Sequence, residues 1–318
     1  MSLALMNWLK KPWVGPLVAL LGVYALFSAL TPDTFLRTLN LVTMLRQTVV
    51  VAIAAIGAAL IIIHGGIDLS VGSSVALTTV VVAKCLQAGM GPIPALVAAL
   101  ALGALAGLVN GALVVGLRIT PFIATLGTMS ALRGIAKGLA DEQKIDAPAA
   151  GLDAWMAVIP GERLVPYGVW LALAAGVVGA VLLGYTRLGR HAVAVGSNEL
   201  TARLCGVPVT RVRLTIYALG GLLAGLAGVL EFSTLTVGDP TDSVGLELET
   251  IAAVVIGGGS LAGGQGSVAG TLIGALLLTV IKAGCTHLGM PNWIQEILTG
   301  GIIVIAMTLD RLRQAARD

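Results

Sequence analysis

Residues 64–74 read HGGIDLSVGSS, between the apolar runs VVVAIAAIGAALIII at 49–63 and VALTTVVVA at 75–83. A helix of roughly 20 such apolar residues spans a bilayer. Each glycine weakens a helix by about 1 kcal/mol relative to alanine, and Asp68 places a carboxylate in apolar company. Backbone groups freed by a break in hydrocarbon must be satisfied by protein or by a wet cavity. The stretch therefore predicts a broken helix buried in a membrane bundle.

Composition extends that reading to the whole chain. Of 318 residues, 57% are hydrophobic and only 11% charged, and mean hydropathy is +0.97. Soluble domains carry about 25% charged residues, so a water-soluble fold would lack a polar shell. The 42 glycines against 4% aromatic residues suit helices that approach closely in lipid. A net charge of +3 with no basic block gives no footing for nucleic acid. Cys85, Cys205 and Cys285 have neither zinc nor disulfide spacing, and no metal site is expected. His64, His191 and His287 are isolated.

The expected fold is all-α, one transmembrane domain over 1–318. It has about ten spans: 14–31, 43–63, 70–88, 93–117, 119–139, 165–184, 213–233, 247–262, 267–289 and 292–309. The first follows Lys10 and Lys11 but lacks a cleavage pattern, and is expected to be a retained helix. Placing both termini in the cytoplasm puts Lys10, Lys11, Arg118, Arg187, Arg190, Arg203, Arg211, Arg213, Arg311, Arg313 and Arg317 inside. Arg37, Lys144 and Arg163 remain outside, in line with the positive-inside rule.

Two polar loops stand out. The loop 140–164, ADEQKIDAPAAGLDAWMAVIPGERL, is expected to be external. It is mildly acidic and holds Pro148, Pro160, Glu162 and Trp155. The loop 185–213, YTRLGRHAVAVGSNELTARLCGVPVTRVR, is basic and expected to be cytoplasmic. Within it SNELTARLCG predicts a short helix over 197–206. Ser197 or Asn198 would cap it, Glu199 and Arg203 suit its dipole, and Gly206 with Pro208 would end it. Leu200, Leu204 and Val207 share a face at helical spacing. The segment reads either as a plain connector or as a docking helix for a cytoplasmic partner.

Two further glycine-rich stretches are expected to interrupt helices, GLLAGLAGVLEF at 221–232 and GGGSLAGGQGSVAG at 257–270. The latter resembles 64–74 weakly, a hint of internal repetition. GQGSVA at 264–269 is a poor dinucleotide match, and no G-x-x-x-x-G-K-[ST] occurs, so the chain has no P-loop of its own. No nucleophile–base pair or H-E-x-x-H suggests an intramembrane enzyme.

GGIDLSVGS, ITPFIATLGTMSALRGIA, the 185–213 loop, YALGGLLAGLAGVLE and ELETIAAVVIGGGSLAGGQGSVAGTLIGALLL occur in this order. The ordered set resembles the permease subunits of monosaccharide ABC importers of the ribose, xylose, arabinose and galactose type. The resemblance covers nearly the whole chain, least over 1–40 and 140–165. It implies a polytopic, non-enzymatic subunit in the bacterial inner membrane that passes a sugar or polyol. It implies a second permease chain, identical or different, a cytoplasmic ATPase that holds ATP and Mg²⁺, and a periplasmic sugar-binding protein. It gives ATPase coupling to Ser197, Asn198, Glu199, Ala202, Arg203, Leu204, Gly206 and Val207. Lys282 and Ala283 depart from the amides expected there, and an ammonium within a span is costly unless paired or snorkelling.

Asp68 thus has two readings, a helix cap assisted by Ser70 and Ser73, or a contact to substrate. Ser70, Asn110, Thr125, Thr128 and Glu231 are likewise pathway candidates or interhelical glue. An ion-coupled secondary transporter is the alternative function. It would need paired ionisable groups within the spans, and only Asp68, Glu231 and Lys282 are evident.

Overall fold

The computed structural model describes residues 13–159 and 163–315. Lys10, Lys11, Pro160, Glu162 and Arg317, which the sequence reading used, lie outside the described residues, as do the side chains of Arg311 and Arg313.

Among the described residues there are thirteen α-helices: α1 (Val14–Leu30), α2 (Pro32–Phe35), α3 (Thr38–Ile63), α4 (Val71–Gln87), α5 (Pro92–Gly116), α6 (Pro121–Leu139), α7 (Tyr167–Tyr185), α8 (Arg187–Ser197), α9 (Glu199–Leu204), α10 (Val209–Leu235), α11 (Leu246–Ile256), α12 (Val268–His287) and α13 (Asn292–Ala315). Two short strands, β1 (Ile145–Asp146) and β2 (Val237–Gly238), pair antiparallel. The all-α expectation holds.

By length and apolarity α3, α5, α7, α10 and α12 can each cross a membrane, and α1 and α4 are shorter apolar helices. The eighth expected span, 247–262, is corrected. Its helix α11 has 11 residues, about 16 Å at 1.5 Å per residue, which is half of a hydrocarbon core about 30 Å thick. The glycines at 257–259 and beyond stop it.

Helix α3 is buried along most of its length, whereas α5 and α7 are largely exposed. Val49, Val50 and Ile53 of α3 pack on Ala224, Ala227 and Leu230 of α10 in the main apolar cluster. The expected break at 221–232 is also corrected, because α10 runs through it unbroken. Its glycines serve contact instead. A Cβ on Gly221 would overlap the Gly103 carbonyl, and one on Gly107 would overlap that of Tyr217. Backbones of α5 and α10 touch, the small-residue packing that lipid favours.

The described residues of the 140–164 loop are tied down. Lys144 pairs with Asp239 at 3.0 Å, Gln87 donates to the Asp146 carbonyl, and Arg163 donates to that of Ala154.

Candidate functional site

Helices α3 and α4 form one helix–break–helix unit, and α11 and α12 form a second. The two breaks meet. The Gly264 N–H donates to the Ile63 carbonyl at 2.8 Å. The third partner is Gly196 in the last turn of α8. A Cβ there would overlap both the Ile63 carbonyl and the Gly264 nitrogen. The two stretches that look alike in sequence are thus clamped together at the end of the bundle that carries α8 and α9. Ser267 caps α12 by accepting from the Gly270 N–H at 3.0 Å, so GQGSVA is a loop and a helix start.

Asp68 lies in the first break. Its Oδ1 accepts from the Ser70 N–H at 2.8 Å, the Ser70 hydroxyl at 2.6 Å and the Asn110 amide at 3.3 Å. Asn110 also donates to Ser70 Oγ at 2.8 Å, and Thr128 donates to Asn110 Oδ1 at 2.6 Å. The Thr125 hydroxyl and the Tyr217 hydroxyl both reach the Ile67 carbonyl at 3.3 Å. A run of donors therefore leads from α6 through α5 to the carboxylate, and helix α10 braces the same break. Asp68, Ser70, Asn110 and Thr125 are all buried. The cap reading needs correction in its detail. The N-cap of α4 is Ser70, and its side chain makes no capping bond. Asp68 instead closes a tight turn just before the helix, and Ser73 lies inside it.

Glu231 does not join this group. It lies about four turns beyond Tyr217 on α10, ~21 Å along the axis, beside Asp242 and Arg46. Tyr217 was missed because a tyrosine in an apolar span carries no pattern that marks its partner. His64, at the end of α3, is buried, and neither ring nitrogen has a hydrogen-bond partner among the described residues.

The 185–213 loop folds into two helices, not one. Thr186 caps α8 by accepting from the Gly189 N–H, and Asn198 caps α9 by accepting from the Thr201 N–H at 2.9 Å. Ser197 belongs to α8 and turns its hydroxyl to the Val193 carbonyl. Gly206 takes a φ of +80° at the end of α9, as expected. Glu199 pairs with Arg203 at 2.8 Å and with Arg213 of α10 at 2.7 Å. The Arg213 hydrogen bond chiefly, with Arg203, holds the Glu199 carboxyl below the ordinary glutamate range against the opposing effect of partial burial. The sequence marked Arg213 only as a cytoplasmic charge. Leu200 and Leu204 are 69% and 80% exposed. Val207 does not share their face. It packs with Val195, Ala202 and Val209, because the turn at Gly206 redirects the chain.

Lys282 on α12 pairs with Glu249 on α11. A lone ammonium in a span demands such a partner, and that demand is the signal that could have found Glu249. The pair lines two adjoining clefts of about 460 and 530 Å³ at the opposite end of the bundle from α9.

Two helix–break–helix units locked to a short amphipathic helix outside the apolar bundle define a polytopic membrane transport subunit. Residues 40–307 match the family described as the branched-chain amino acid transport system / permease component, and the chain belongs to that family. It is 41% identical to the ribose import permease RbsC of Escherichia coli (strain K12), covering 97% of each chain. It is 38% identical to the ribose import permease RbsC of Bacillus subtilis (strain 168), over 95% of this chain and 94% of that one. It is 37% identical to the galactose/methyl galactoside import permease MglC of Salmonella typhimurium, over 98% and 97%. No solved structure gives a significant match. The relatives are permease components of importers rather than enzymes, and with the apolar helices they make this chain a multi-pass membrane protein.

Proposed function

We propose that this chain is the membrane-spanning subunit of an ATP-driven importer of a monosaccharide or sugar-like polyol. It lies in the bacterial inner membrane with both termini in the cytoplasm. It pairs with a second permease chain, receives solute from a periplasmic binding protein, and is driven by a cytoplasmic ATPase that binds ATP and Mg²⁺. The observation that carries the reading is α9. It is a capped helix outside the apolar bundle, with Leu200 and Leu204 exposed and its base bonded to α10 through Glu199–Arg213. Exposed leucines on an anchored helix favour a protein partner. The names of the relatives support the sugar class.

In mechanism, the ATPase would seat α9 and move it as a unit with α8. Gly196 of α8 abuts both breaks, so displacement there reaches the ends of four helices at once. The Asp68–Ser70–Asn110–Thr128 run keeps the first break attached to α5 and α6 during that motion. Its hydrogen bonds are made internally, which supports an anchoring role over sugar contact.

The test is co-reconstitution with the ATPase and binding protein, reading ATP hydrolysis and labelled-sugar uptake. The expected result is hydrolysis stimulated by the loaded binding protein, and no uptake without the ATPase. Uptake by the chain alone along a proton or sodium gradient would favour an ion-coupled transporter.

A further inference from the structure

The end of the bundle opposite α9 carries a cleft that neither the break network nor the coupling helix uses. Its walls are two polar rows on otherwise apolar helices. Asn40, Thr43 and Gln47 lie at i, i+3 and i+7 on α3, and Thr279, Lys282 and Thr286 lie at the same spacing on α12. Polar rows of this kind do not face hydrocarbon; they face a wet cavity or one another. These two rows face a common volume of about 460 Å³, within the range of small-molecule sites.

The chemistry of the walls is balanced. Thr279 and Thr286 donate their hydroxyl protons to their own helix, at the Ala275 and Lys282 carbonyls, and Thr286 Oγ1 accepts from the Gln295 amide at 3.3 Å, which leaves one oxygen lone pair on Thr286 and two on Thr279 as acceptors. His287 is occupied by Asn40 at 2.9 Å. The Gln47 amide has no hydrogen-bond partner among the described residues and is exposed. At the junction with the adjoining cleft sit the paired side chains of Lys282, 38% exposed, and Glu249, 22% exposed. Glu296, at the rim of that second cleft, is exposed.

We propose that this cleft receives a neutral polyhydroxylated solute and that the Lys282–Glu249 pair is its charge filter. The proposal rests on the reading of this chain as a solute permease. A neutral polyol gives hydroxyl protons to the carboxylate and accepts from the ammonium, and the pair stays intact. An anionic solute must compete with Glu249 for Lys282, and a cationic solute must compete with Lys282 for Glu249. Each breaks the pair and sets the solute's charge beside the like charge of the released partner, which repels it. Lys282 and Glu249 are therefore specificity-determining residues.

The test needs neither ATPase nor binding protein. Gln47→Cys is introduced into the full chain with Cys85, Cys205 and Cys285 replaced by alanine, and the protein is placed in lipid vesicles. Labelling rates are compared for methanethiosulfonates bearing a sulfonate or a trimethylammonium group. With the pair intact the two rates are expected to be similar, and a neutral monosaccharide is expected to slow both. Glu249→Gln should favour the sulfonate reagent on the order of tenfold, and Lys282→Gln should favour the ammonium reagent by a similar factor, as one uncompensated charge at close range predicts. The swap Lys282→Glu with Glu249→Lys keeps a pair and should restore parity, which guards against simple misfolding. Relative rates that ignore all three changes overturn the filter. Failure of neutral sugar to protect, or no labelling by either reagent, overturns the solute site. Sugar-stimulated ATP hydrolysis is a separate readout, so the importer reading can stand or fall without this result.

Discussion

Gly264 donates its backbone N–H to the carbonyl of Ile63 at 2.8 Å, joining two helix breaks far apart in sequence. Both groups belong to backbone that a helix would otherwise satisfy. The bond meets the demand that freed polar groups in a membrane bundle find partners within the protein. Gly196 sits against both atoms, so the end of the bundle that carries α8 and α9 holds a three-way backbone contact.

Gly196→Ala tests that contact. The added methyl would overlap the Ile63 carbonyl and the Gly264 nitrogen, and backbone cannot rotate away as a side chain can. Overpacking typically costs about 1–3 kcal/mol, so thermal unfolding in detergent should shift clearly downward. Gly134→Ala on α6, with nothing within 4 Å of the new methyl, should be neutral or slightly stabilising through helix propensity. Equal effects from the two would remove the clamp from the account.

Asp68→Asn should retain the fold, since Asn Oδ1 can still accept from the Ser70 N–H and hydroxyl. Asp68→Leu leaves the buried Ser70 N–H and Ser70 hydroxyl without that acceptor, at about 1–3 kcal/mol for each unsatisfied group, while the Asn110 amide keeps Ser70 Oγ. Stability and sugar-stimulated ATP hydrolysis should fall together for Leu and stay largely intact for Asn. Loss of hydrolysis in a stable Asn variant would instead require a role for the charge itself.

Leu200→Asp with Leu204→Asp should leave membrane insertion and thermal stability unchanged, because both side chains are exposed. ATPase binding should weaken by roughly 30-fold or more, the equivalent of losing a central contact worth about 2 kcal/mol. Protection of the exposed Cys205 from a thiol reagent by bound ATPase should disappear in parallel. Val207→Asp, in contrast, strikes a packed side chain and should loosen the 185–213 segment itself.

Glu199 gives a pH dependence of defined sign. Its carboxyl is held below the ordinary glutamate range, first by the Arg213 hydrogen bond. A depressed folded value means the contribution is complete above the unfolded value and is lost as pH falls through the folded one. Hydrogen exchange across Glu199–Leu204 should be slower in wild type than in Glu199→Gln at neutral pH. The difference should close in acid and shrink in high salt, since the carboxylate is partly exposed. A difference that widened in acid would reverse the assignment.

The polar lining of the Lys282 cleft shows where sequence patterns stop. Lys282 is legible as a group in need of a partner, and so is the class of that partner. Glu249 is not singled out, since Glu247 and Glu231 answer the same description until α11 is placed beside α12. Glu231 fails as a member of the Asp68 group for the matching reason. Distance along a helix is readable, but which turns of two helices stand level is not.

The sequence by itself determined the membrane solvent, the all-α class and a short capped helix within 197–206. Those follow from composition, apolar run length and short-range hydrogen bonding, which act within a few residues. It also marked 64–74 and 257–270 as places where glycine releases the backbone. Tertiary structure alone decided which released groups pair, that the glycines of 221–232 pack rather than break, and that Arg213 holds α9 through Glu199. A freed N–H or a missing Cβ states a need without naming the partner. The partner is fixed only when helices distant in sequence come within contact, as Gly264 does with Ile63.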